Sequence, residues 1–551
     1  MTRRFNMRVV QSAEAYHRSG AWAGRTIADD ARRLAEAGLD LDIFLGGDRP
    51  SSAAHVVFEA ETLVTALNLL GLRPGDVFSF MLPNWQEAAA INLAAAMGGF
   101  VINPIVPIYR EAETSLILAD CRSRLVFVPT VFRRFDYAAM MARIRSSLPD
   151  LRHVVTVRGK ADGALRYDDL LAGSAGSSGD LRRVDPASLK MIMYTSGTTG
   201  RPKAVLHSHE TLARAVASSA EHWGLGPADI VLMASPITHV SGYSNGIERP
   251  FLGGTRTVLM EEWRADEAVR LIDRYGATMT VAATPFLQEL QAAAERAGSR
   301  LPTMRCFACG GAAIPAPLIR RANASFAQPC AFRIYGSSEA PFVTLGFLGE
   351  ATGEQAATTD GEIVDYEVRI VDDRECPLPS GQDGEILVKG PALFMGYADP
   401  AQTVESFTAD GFFRTGDIGH IVDGALVITD RKKDLIIRGG ENISAKEIED
   451  ALDRHPDIVE AAVVAMPHSR LGEGICAFLI TRSSTGPDIP ALQQFLAGMG
   501  LARQKAPERM ERVGDLPRTA SGKVRKDILR SRIASTITEE TQQKPEDAQD
   551  A

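Results

Sequence analysis

Apolar runs of strand length alternate with helical patterns in the first part of the chain. Buried strands are predicted in DVFSFML, FVINPIV, RLVFVP and HVVTV, and helices between them in AAAINLAAAM, REAETSLILAD and AAMMARIRSS. Asn84, followed at the third position by Glu87, predicts the N-terminal cap of the first helix. Because strands that alternate with helices form parallel sheets with crossover helices on their faces, the pattern predicts an α/β fold.

The pattern changes near Gly361. Short runs of alternating apolar and polar residues then predict a small antiparallel sheet or barrel, in EIVDYEVRIVDD, GEILVKG and HIVDGALVITD. After Asp430, Ser444 and Glu447 predict a capping box for a helix that two strands follow. We therefore expect a large N-terminal domain of parallel α/β sheets with a small β-barrel-like subdomain, and a smaller α+β C-terminal domain. The acidic end, TEETQQKPEDAQDA, predicts a disordered tail.

Composition narrows the class of protein. The 551 residues are 45% hydrophobic and 23% charged, which is typical of a globular protein with several folding units. The 69 acidic side chains outnumber the 60 basic ones, and the net charge of −9 argues against nucleic acid as a partner. Six cysteines in a chain of this length indicate a reducing compartment, and the first residues lack the apolar region of a secretory leader. We therefore expect a cytoplasmic protein.

Two other features have plain structural interpretations. The uncharged run from 88 to 106 approaches the length of a membrane span, but Asn92, Asn103 and Pro104 interrupt it. It is predicted to be a buried helix followed by a strand, so no transmembrane segment is expected. Cys306 and Cys309 form a CxxC pair without a second pair, and their apolar setting favours a buried strand over a zinc site.

The strongest chemical signal follows the apolar run KMIMY. Two glycines and four hydroxyl side chains offer N–H and O–H donors, and a lysine adds positive charge, a combination suited to polyphosphate. Pro202 and the alanine after the lysine distinguish the segment from a Walker A loop. The residues expected to bind polyphosphate here, which the resemblance described next implies is ATP, are Thr195, Ser196, Gly197, Thr198, Thr199, Gly200 and Lys203.

This segment, YTSGTTGRPK, resembles the phosphate-binding signature of the adenylate-forming (ANL) superfamily, which includes acyl-CoA synthetases, adenylation domains of nonribosomal peptide synthetases and firefly luciferase. Further segments match in the same order, so the resemblance extends to Lys523. It implies that a carboxylic acid attacks the α-phosphate of ATP to give an acyl-adenylate and pyrophosphate, and that a thiol then displaces AMP. It also implies a large domain over 1–430, a small lid domain over 431–535 and an acidic tail over 536–551.

Two segments resemble the adenine and magnesium motifs. The ring of Tyr335 can stack on adenine, and Glu339 is a hard oxygen ligand of the kind that Mg²⁺ binds together with phosphate oxygens. Ser338 stands where the superfamily usually has threonine, and it keeps the hydroxyl. The further ATP-binding residues implied are Gly311, Ala312, Ala313, Tyr335, Gly336, Ser337 and Ser338.

FRTGD and DRKKD resemble the ribose motif and the junction between the domains. A carboxylate at Asp417 can accept hydrogen bonds from both ribose hydroxyls. The resemblance implies that Arg431 also reaches the nucleotide and that Lys433 is the hinge residue.

The last two motifs concern the thiol and the catalytic lysine. Gly439, Gly440 and Glu441 resemble the loop that lines the CoA passage, although Ala445 replaces the usual proline. In LPRTASGK, Lys523 resembles the catalytic lysine, whose ammonium stabilises charge that develops between the carboxylate and the α-phosphate.

The acid-binding segment is less distinctive. PITHVSG places His239 at the position of an aromatic or histidine gate beside the carboxylate, and Gly242 is expected to leave room for an acyl group. The segment lacks the aspartate with which amino-acid-activating relatives hold the substrate ammonium, so an acid without an amino group is favoured. Acid-binding residues are expected at His239, Val240, Gly242, Phe286 and Gly311, and catalytic residues at Lys523, Lys203 and His239.

These motifs favour an ATP-dependent carboxylic acid:CoA ligase that uses ATP, Mg²⁺ and coenzyme A. The alternative is an acyl-adenylating enzyme that loads the phosphopantetheine of a carrier protein, because the same residues serve both thiols. A nucleotide-binding regulator without turnover is disfavoured, because the charged residue of every motif is present. A weaker resemblance of AEAYHRSGAW and ATPFL to ligases of cyclohexanecarboxylate and medium-chain acids implies a medium-chain, alicyclic or aromatic monocarboxylic acid and fatty acid metabolism. A homodimer is left open.

Overall fold

The computed structural model describes residues 13–37, 42–46, 50–174, 183–195, 202–311, 314–438, 441–468, 470–483, 486–519 and 523–542. The chain forms two compact units, the first from Met1–Val368 and Val388–Phe413 and the second from Arg369–Leu387 and Arg414–Ala551. The domain boundary predicted after residue 430 is defined by a hinge about which the small domain would move, and this boundary stays a prediction.

The described part of the first unit contains two sheets of seven strands. In spatial order, the first sheet consists of β16 (Ala331–Arg333), β15 (Cys306–Cys309), β14 (Met279–Ala282), β12 (Ile230–Met233), β13 (Arg256–Leu259), β1 (Asp42–Leu45) and β2 (Ser51–Ser52). The second consists of β11 (Lys203–Ser208), β10 (Leu189–Thr195), β4 (Val101–Pro104), β3 (Val77–Phe80), β5 (Leu125–Pro129), β8 (His153–Val157) and β9 (Leu165–Arg166). A short hairpin is formed by β6 (Val131–Phe132) with β7 (Phe135–Asp136), and β17 (Thr344–Leu345) pairs antiparallel with β18 (Glu362–Ile363).

The described helices of the first unit have the following bounds. They are α1 (Ala13–Ser19), α2 (Ile27–Glu36), α3 (Ala53–Leu69), α4 (Glu87–Gly98), α5 (Glu111–Asp120), α6 (Tyr137–Ile144), α7 (Tyr167–Ser174), α8 (His209–Trp223), α9 (Val240–Gly242), α10 (Arg249–Leu252), α11 (Ala265–Tyr275), α12 (Thr284–Ala297), α13 (Ala316–Ser325), α14 (Gly353–Thr358) and α15 (Pro400–Ser406). One apolar core lies between the first sheet and α11, α12 and α13, and another packs α5 and α6 on the second sheet. Most strand pairs in both sheets are parallel, so the predicted α/β class is confirmed.

The apolar runs form the elements that their patterns predict. The four predicted strands become β3, β4, β5 and β8, and the uncharged run from 88 to 106 becomes most of α4 followed by β4. Cys306 and Cys309 both lie in the buried strand β15, as expected. In the described part of the chain, no helix combines the length and apolar character needed to cross a membrane.

Each described strand after residue 366 has all or most of its residues in the second unit. One sheet has the order β22 (Ala425–Arg431), β21 (Phe413–Val422), β20 (Gly384–Lys389) and β19 (Glu367–Val371). Another has the order β24 (Glu441–Ile443), β23 (Ile436–Arg438), β26 (Gly472–Thr481) and β25 (Ile458–His468), with β27 (Arg509–Arg512) parallel to β26. The helices α16 (Ala445–Leu452) and α17 (Ile489–Gly498) pack on one face of this sheet, and α18 (Lys526–Gln542) packs on the other.

Two details of the second unit differ from the sequence-based expectations. Ser444 caps α16 by accepting a hydrogen bond from the Glu447 N–H, but the Glu447 carboxylate binds Lys505 rather than completing a capping box. Helix α18 continues to Gln542, so residues 536–542 are helical where the tail was predicted to begin. Residues 543–551 lie outside the described residues.

Candidate active site

The predicted nucleotide and acid segments of the first unit follow neighbouring strands. β12 pairs in parallel with β14, β14 with β15, and β15 with β16. PITHVSG, ATPFL, GGAA and YGSSE come after β12, β14, β15 and β16, respectively. Since ligands of α/β sheets bind outside the carboxyl ends of the strands, four segments that are separated in sequence share one edge suited to binding.

The two ends of the predicted phosphate loop lie on adjacent strands. Thr195 ends β10 and Lys203 begins β11, and the two residues are partners in the antiparallel register. Ser196, Gly197, Thr198, Thr199 and Gly200 lie outside the described residues. The expected role of the loop therefore stays a prediction.

A buried histidine connects β11 to the YGSSE segment. His207 Nε2 lies 2.7 Å from the carbonyl oxygen of Ser338, and its Nδ1 lies 3.0 Å from the hydroxyl of Thr211. Burial lowers the pKa of His207 to about 4, so the ring is neutral near pH 7. Because a carbonyl oxygen can only accept, Nε2 carries the proton and fixes the Ser338 backbone to β11.

In the predicted adenine segment, the backbone at Gly336 packs closely against the backbone at Phe342. Tyr335 is half-buried, and its N–H donates to Thr344 Oγ1 at 2.9 Å. A Cβ on Gly336 would lie 2.6 Å from the backbone nitrogen of Phe342, so a larger residue would displace this turn. Gly311 follows β15 with a φ of +85°, whereas Ala312 and Ala313 lie outside the described residues.

Asn84 fixes the start of the acid segment, which the sequence pattern did not reveal. Its side chain donates to the carbonyl oxygens of Met233 and Ser235 at 3.1 and 3.0 Å and accepts from the Ile237 N–H at 2.9 Å. The predicted capping role is wrong, because α4 has Gln86 at its N-cap without a side-chain cap. The amide instead bonds to backbone groups at and just beyond the end of β12.

The structure gives a different reason for the glycine at position 242 of the acid segment. A Cβ on Gly242 would lie 2.0 Å from the carbonyl oxygen of Pro236, so the absent side chain permits backbone packing rather than leaving room for an acyl group. The expected reason is therefore wrong, and acid binding by Gly242 and its neighbour Val240 in α9 stays a prediction. His239 precedes α9, half-buried, with Nδ1 3.2 Å from the Ser241 hydroxyl. Phe286 in α12 packs on Trp263, with ring centroids 4.6 Å apart.

A buried ion pair links the acid segment to the strand that leads into the phosphate loop. Lys190 of β10 binds Glu248, and each side chain is only 1% exposed. Glu248 ends a π-helical turn, Tyr243–Glu248, that directly follows α9, and it also accepts from Asn92 Nδ2 at 2.6 Å. Burial lowers the pKa of Lys190, and the Glu248 charge opposes that shift. Such a pair stays favourable only where further hydrogen bonds complete it, as Asn92 does here.

The aspartate of the predicted ribose motif in the second unit forms an ion pair with an arginine. Asp417 and Arg431 face each other across β21 and β22, with Arg431 Nε 2.6 Å from Asp417 Oδ1. Asp417 is 4% exposed, and its N–H donates to Thr415 Oγ1 at 3.0 Å. The cation thus orients a carboxylate that is suited to accept hydrogen bonds.

The predicted hinge residue lies in a short turn of the second unit, and the predicted catalytic lysine is bonded to Thr519. Lys433 is in a 3₁₀ turn, Lys432–Asp434, and burial together with the Arg431 charge lowers its pKa. The Lys523 N–H donates to Thr519 Oγ1 at 3.1 Å, and the Lys523 carbonyl oxygen accepts from the Thr519 N–H at 2.7 Å. Glu441 accepts from Gln504 Nε2 at 3.3 Å. Gly439 and Gly440 lie outside the described residues, so the CoA site stays a prediction.

Comparisons with known proteins agree with these motifs. A family model described as AMP-binding enzyme matches residues 42–398, and one described as AMP-binding enzyme C-terminal domain matches residues 447–523. The chain therefore belongs to the AMP-binding enzyme family, within the adenylate-forming superfamily. Its class is that of an acid–thiol ligase, an AMP-forming acyl-CoA synthetase.

Particular relatives align over almost the whole chain. The medium-chain fatty-acid–CoA ligase of Escherichia coli (strain K12) is 31% identical over 98% of this chain and 96% of its own length. The salicyl-AMP ligase / salicyl-S-ArCP synthetase of Mycobacterium tuberculosis (strain ATCC 25618 / H37Rv) is 30% identical over 94% of this chain and 92% of its own. The crystal structure of ATP-bound MatB from Rhodopseudomonas palustris superimposes with a TM-score of 0.80 and 28% identity, covering 92% of this chain and 99% of that one.

Proposed function

We propose that the protein is an ATP-dependent carboxylic acid:CoA ligase that acts in two steps. A carboxylate oxygen of the acid first attacks the α-phosphorus of ATP, and pyrophosphate leaves as the acyl-adenylate forms. The thiolate of CoA then attacks the acyl carbonyl carbon, and AMP leaves as the thioester forms. The observation that carries the proposal is the shared strand edge that gathers the acid, adenine and magnesium segments in the first unit.

Each charged group has a proposed part in the first step. Lys203 binds phosphate oxygens at the end of the phosphate loop, and Asp417, oriented by Arg431, accepts hydrogen bonds from the ribose hydroxyls. His239 orients the carboxylate of the acid. Lys523 stabilises the charge that develops during attack on the α-phosphorus.

The donors of the YGSSE segment fit Mg²⁺. A carboxylate at Glu339 and hydroxyls at Ser337 and Ser338 are hard oxygen donors, which Mg²⁺ prefers together with phosphate oxygens. When bound, Mg²⁺ supplies positive charge that stabilises the departing pyrophosphate.

Replacing Glu339 with alanine is expected to raise the Mg²⁺ concentration needed for half-maximal adenylation by roughly 100-fold, because a direct ligand is lost. The measurement is pyrophosphate release at saturating ATP over a magnesium titration. Glu350→Ala, which alters an exposed glutamate, is the matched control and should leave the titration unchanged. An unaltered magnesium requirement in Glu339→Ala at normal activity would remove Glu339 from the site.

The proposed substrates are monocarboxylic acids with a medium-length, alicyclic or aromatic body. The Phe286–Trp263 pair supplies an aromatic surface after β14, and neither PITHVSG nor ATPFL contains lysine or arginine to hold a second carboxylate. Burying an unpaired charge costs several kcal/mol, whereas each buried methylene contributes about 0.8 kcal/mol. We therefore expect octanoate, cyclohexanecarboxylate or benzoate to exceed acetate, succinate and glycine in kcat/KM.

Pyrophosphate release across this panel of acids, with and without CoA, tests the substrate class. A preference for a dicarboxylate or a free amino acid would overturn the proposed acid, while the adenylation chemistry would stand. Absence of release with every acid would overturn the proposed function itself.

A carrier-protein phosphopantetheine is the second candidate thiol. The observation in its favour is the alignment, over 94% of this chain, with a relative whose name includes salicyl-S-ArCP synthetase. Preformed acyl-adenylate supplied with free CoA or with a phosphopantetheinylated carrier protein distinguishes the two acceptors by the rate of thioester formation. A much faster rate with the carrier protein would replace CoA in the proposal. We also propose a cytoplasmic location, where ATP and CoA are both available.

A further inference from the structure

Tyr397 contacts two charged groups of the candidate ATP site that belong to separate sequence motifs. Its phenolic O–H donates to Glu339 Oε1 at 2.9 Å, and Lys203 Nζ lies 5.0 Å from the centre of its ring. Lys203 begins β11, whereas Glu339 ends the YGSSE segment after β16. A single side chain therefore lies against the expected phosphate-binding cation and the expected magnesium ligand.

The main chain around Tyr397 is bonded to both of these motifs. The Met395 N–H donates to the carbonyl oxygen of Leu206 at 2.7 Å, so the segment before Tyr397 runs along β11. The Phe394 N–H donates to the carbonyl oxygen of Glu339 at 2.8 Å. The phenol and the carboxylate that it touches are thus fixed relative to each other by backbone as well as by side-chain bonds.

The side chain of Tyr397 is also firmly held. The residue is 4% exposed, its ring meets the Phe394 ring edge-on at 4.9 Å, and its N–H donates to Thr403 Oγ1 at 2.9 Å. Gly396 has a φ of +114°, and a Cβ there would lie 2.8 Å from Thr403 Cγ2. The phenol is the donor in its contact with Glu339, because an ionised carboxylate can only accept.

We infer that Tyr397 is a positioning residue that fixes the direction of the Glu339 carboxylate for Mg²⁺ binding. The inference rests on the proposed function, because it takes Glu339 as a magnesium ligand. Partners that orient a metal ligand pre-organise it, and without them the carboxylate must lose its rotational freedom when the metal binds. The proposal assigns no contact between Tyr397 and the metal itself.

Tyr397→Phe tests this role, because it removes one oxygen and retains the ring beside Lys203. The first measurement is the equilibrium binding of Mn²⁺ in the presence of ATP, monitored by electron paramagnetic resonance. The second is the binding of metal-free ATP in the presence of EDTA, measured by calorimetry. We expect the variant to bind Mn²⁺ about tenfold more weakly in the presence of ATP, with metal-free ATP affinity unchanged. The magnesium titration of adenylation should shift by the same factor.

Tyr167→Phe is the matched control, because Tyr167 is a buried tyrosine whose O–H donates to Glu59 Oε1 at 2.7 Å, in contact with no residue assigned to the site. It should change neither binding constant. Equal losses of Mn²⁺ binding and metal-free ATP binding in Tyr397→Phe, together with a lower Tm, would mean that the residue is only structural. Unchanged Mn²⁺ binding would also overturn the inference.

The wild-type protein and Glu339→Ala separate this inference from the proposed function. If wild type binds Mn²⁺ with ATP and Glu339→Ala does not, the metal site stands and Tyr397→Phe alone decides the positioning role. If Glu339→Ala binds Mn²⁺ like wild type, the assumed ligand is wrong and the inference fails with it. Absence of ATP binding by the wild type would instead overturn the proposed function.

Discussion

Lys523→Ala is expected to slow acyl-adenylate formation by about 10²–10³-fold, the typical effect of removing one preorganised charge-stabilising group. The ammonium is needed only while the carboxylate attacks the α-phosphorus, because negative charge develops there in that step. Thioester formation from a supplied acyl-adenylate should therefore remain near the wild-type rate. Pyrophosphate release and thioester formation, measured separately, test this split.

Lys160→Ala provides a control for lysine replacement, because Lys160 is exposed and belongs to none of the motifs. It should leave both half-reactions unchanged. A comparable loss of both half-reactions in Lys523→Ala would instead show that the lysine supports the local structure around Thr519, rather than the chemistry of the first step.

Lys433→Pro is expected to lower thioester formation by about 100-fold while adenylation persists. Proline fixes φ near −65°, which suits the 3₁₀ turn in which Lys433 lies, and it disfavours conformations that need a different φ at this residue. If the small domain rotates about this residue between the two steps, one of its conformations is thereby disfavoured. Single-turnover measurements of each step provide the test.

Lys433→Ala separates the backbone effect from the loss of the side chain. It removes the same ammonium but leaves φ free, so both half-reactions should stay within a fewfold of wild type. Equal defects in the alanine and proline variants would assign the effect to the side chain, and unchanged rates in both would place the hinge elsewhere.

The nucleotide motifs could be found in the sequence because each is a short contiguous segment. Local residue types and their spacing are enough to find the strand that ends at Thr195, the YGSSE segment and FRTGD. The pairing of Asp417 with Arg431 was not predicted, and the structure shows it between the adjacent antiparallel strands β21 and β22. The roles of the catalytic, acid and CoA residues nevertheless remain predictions from the resemblance.

Interactions between distant segments could not be found in this way. Asn84 resembles a helix cap locally, but its amide bonds to backbone groups around Ser235, 151 residues further along the chain. Tyr397 reaches Glu339 across 58 residues, and the segment around it matches none of the motifs found in the sequence. From the sequence, Gly242 was expected to leave room for an acyl group. The structure shows that the Pro236 carbonyl occupies the place of the missing side chain.

The sequence by itself predicted the α/β class and the strands and helices of the first part of the chain, because periodicity is a local property. Its contiguous motifs also carry the family resemblance, which implies the adenylate-forming chemistry. The tertiary structure decided which segments share an edge of the sheet and which side chains orient them. It placed Asn84 against the acid segment, His207 against the Ser338 carbonyl, and Tyr397 between Lys203 and Glu339. These contacts depend on strand order and on the need to satisfy buried polar groups, which only the packed chain defines.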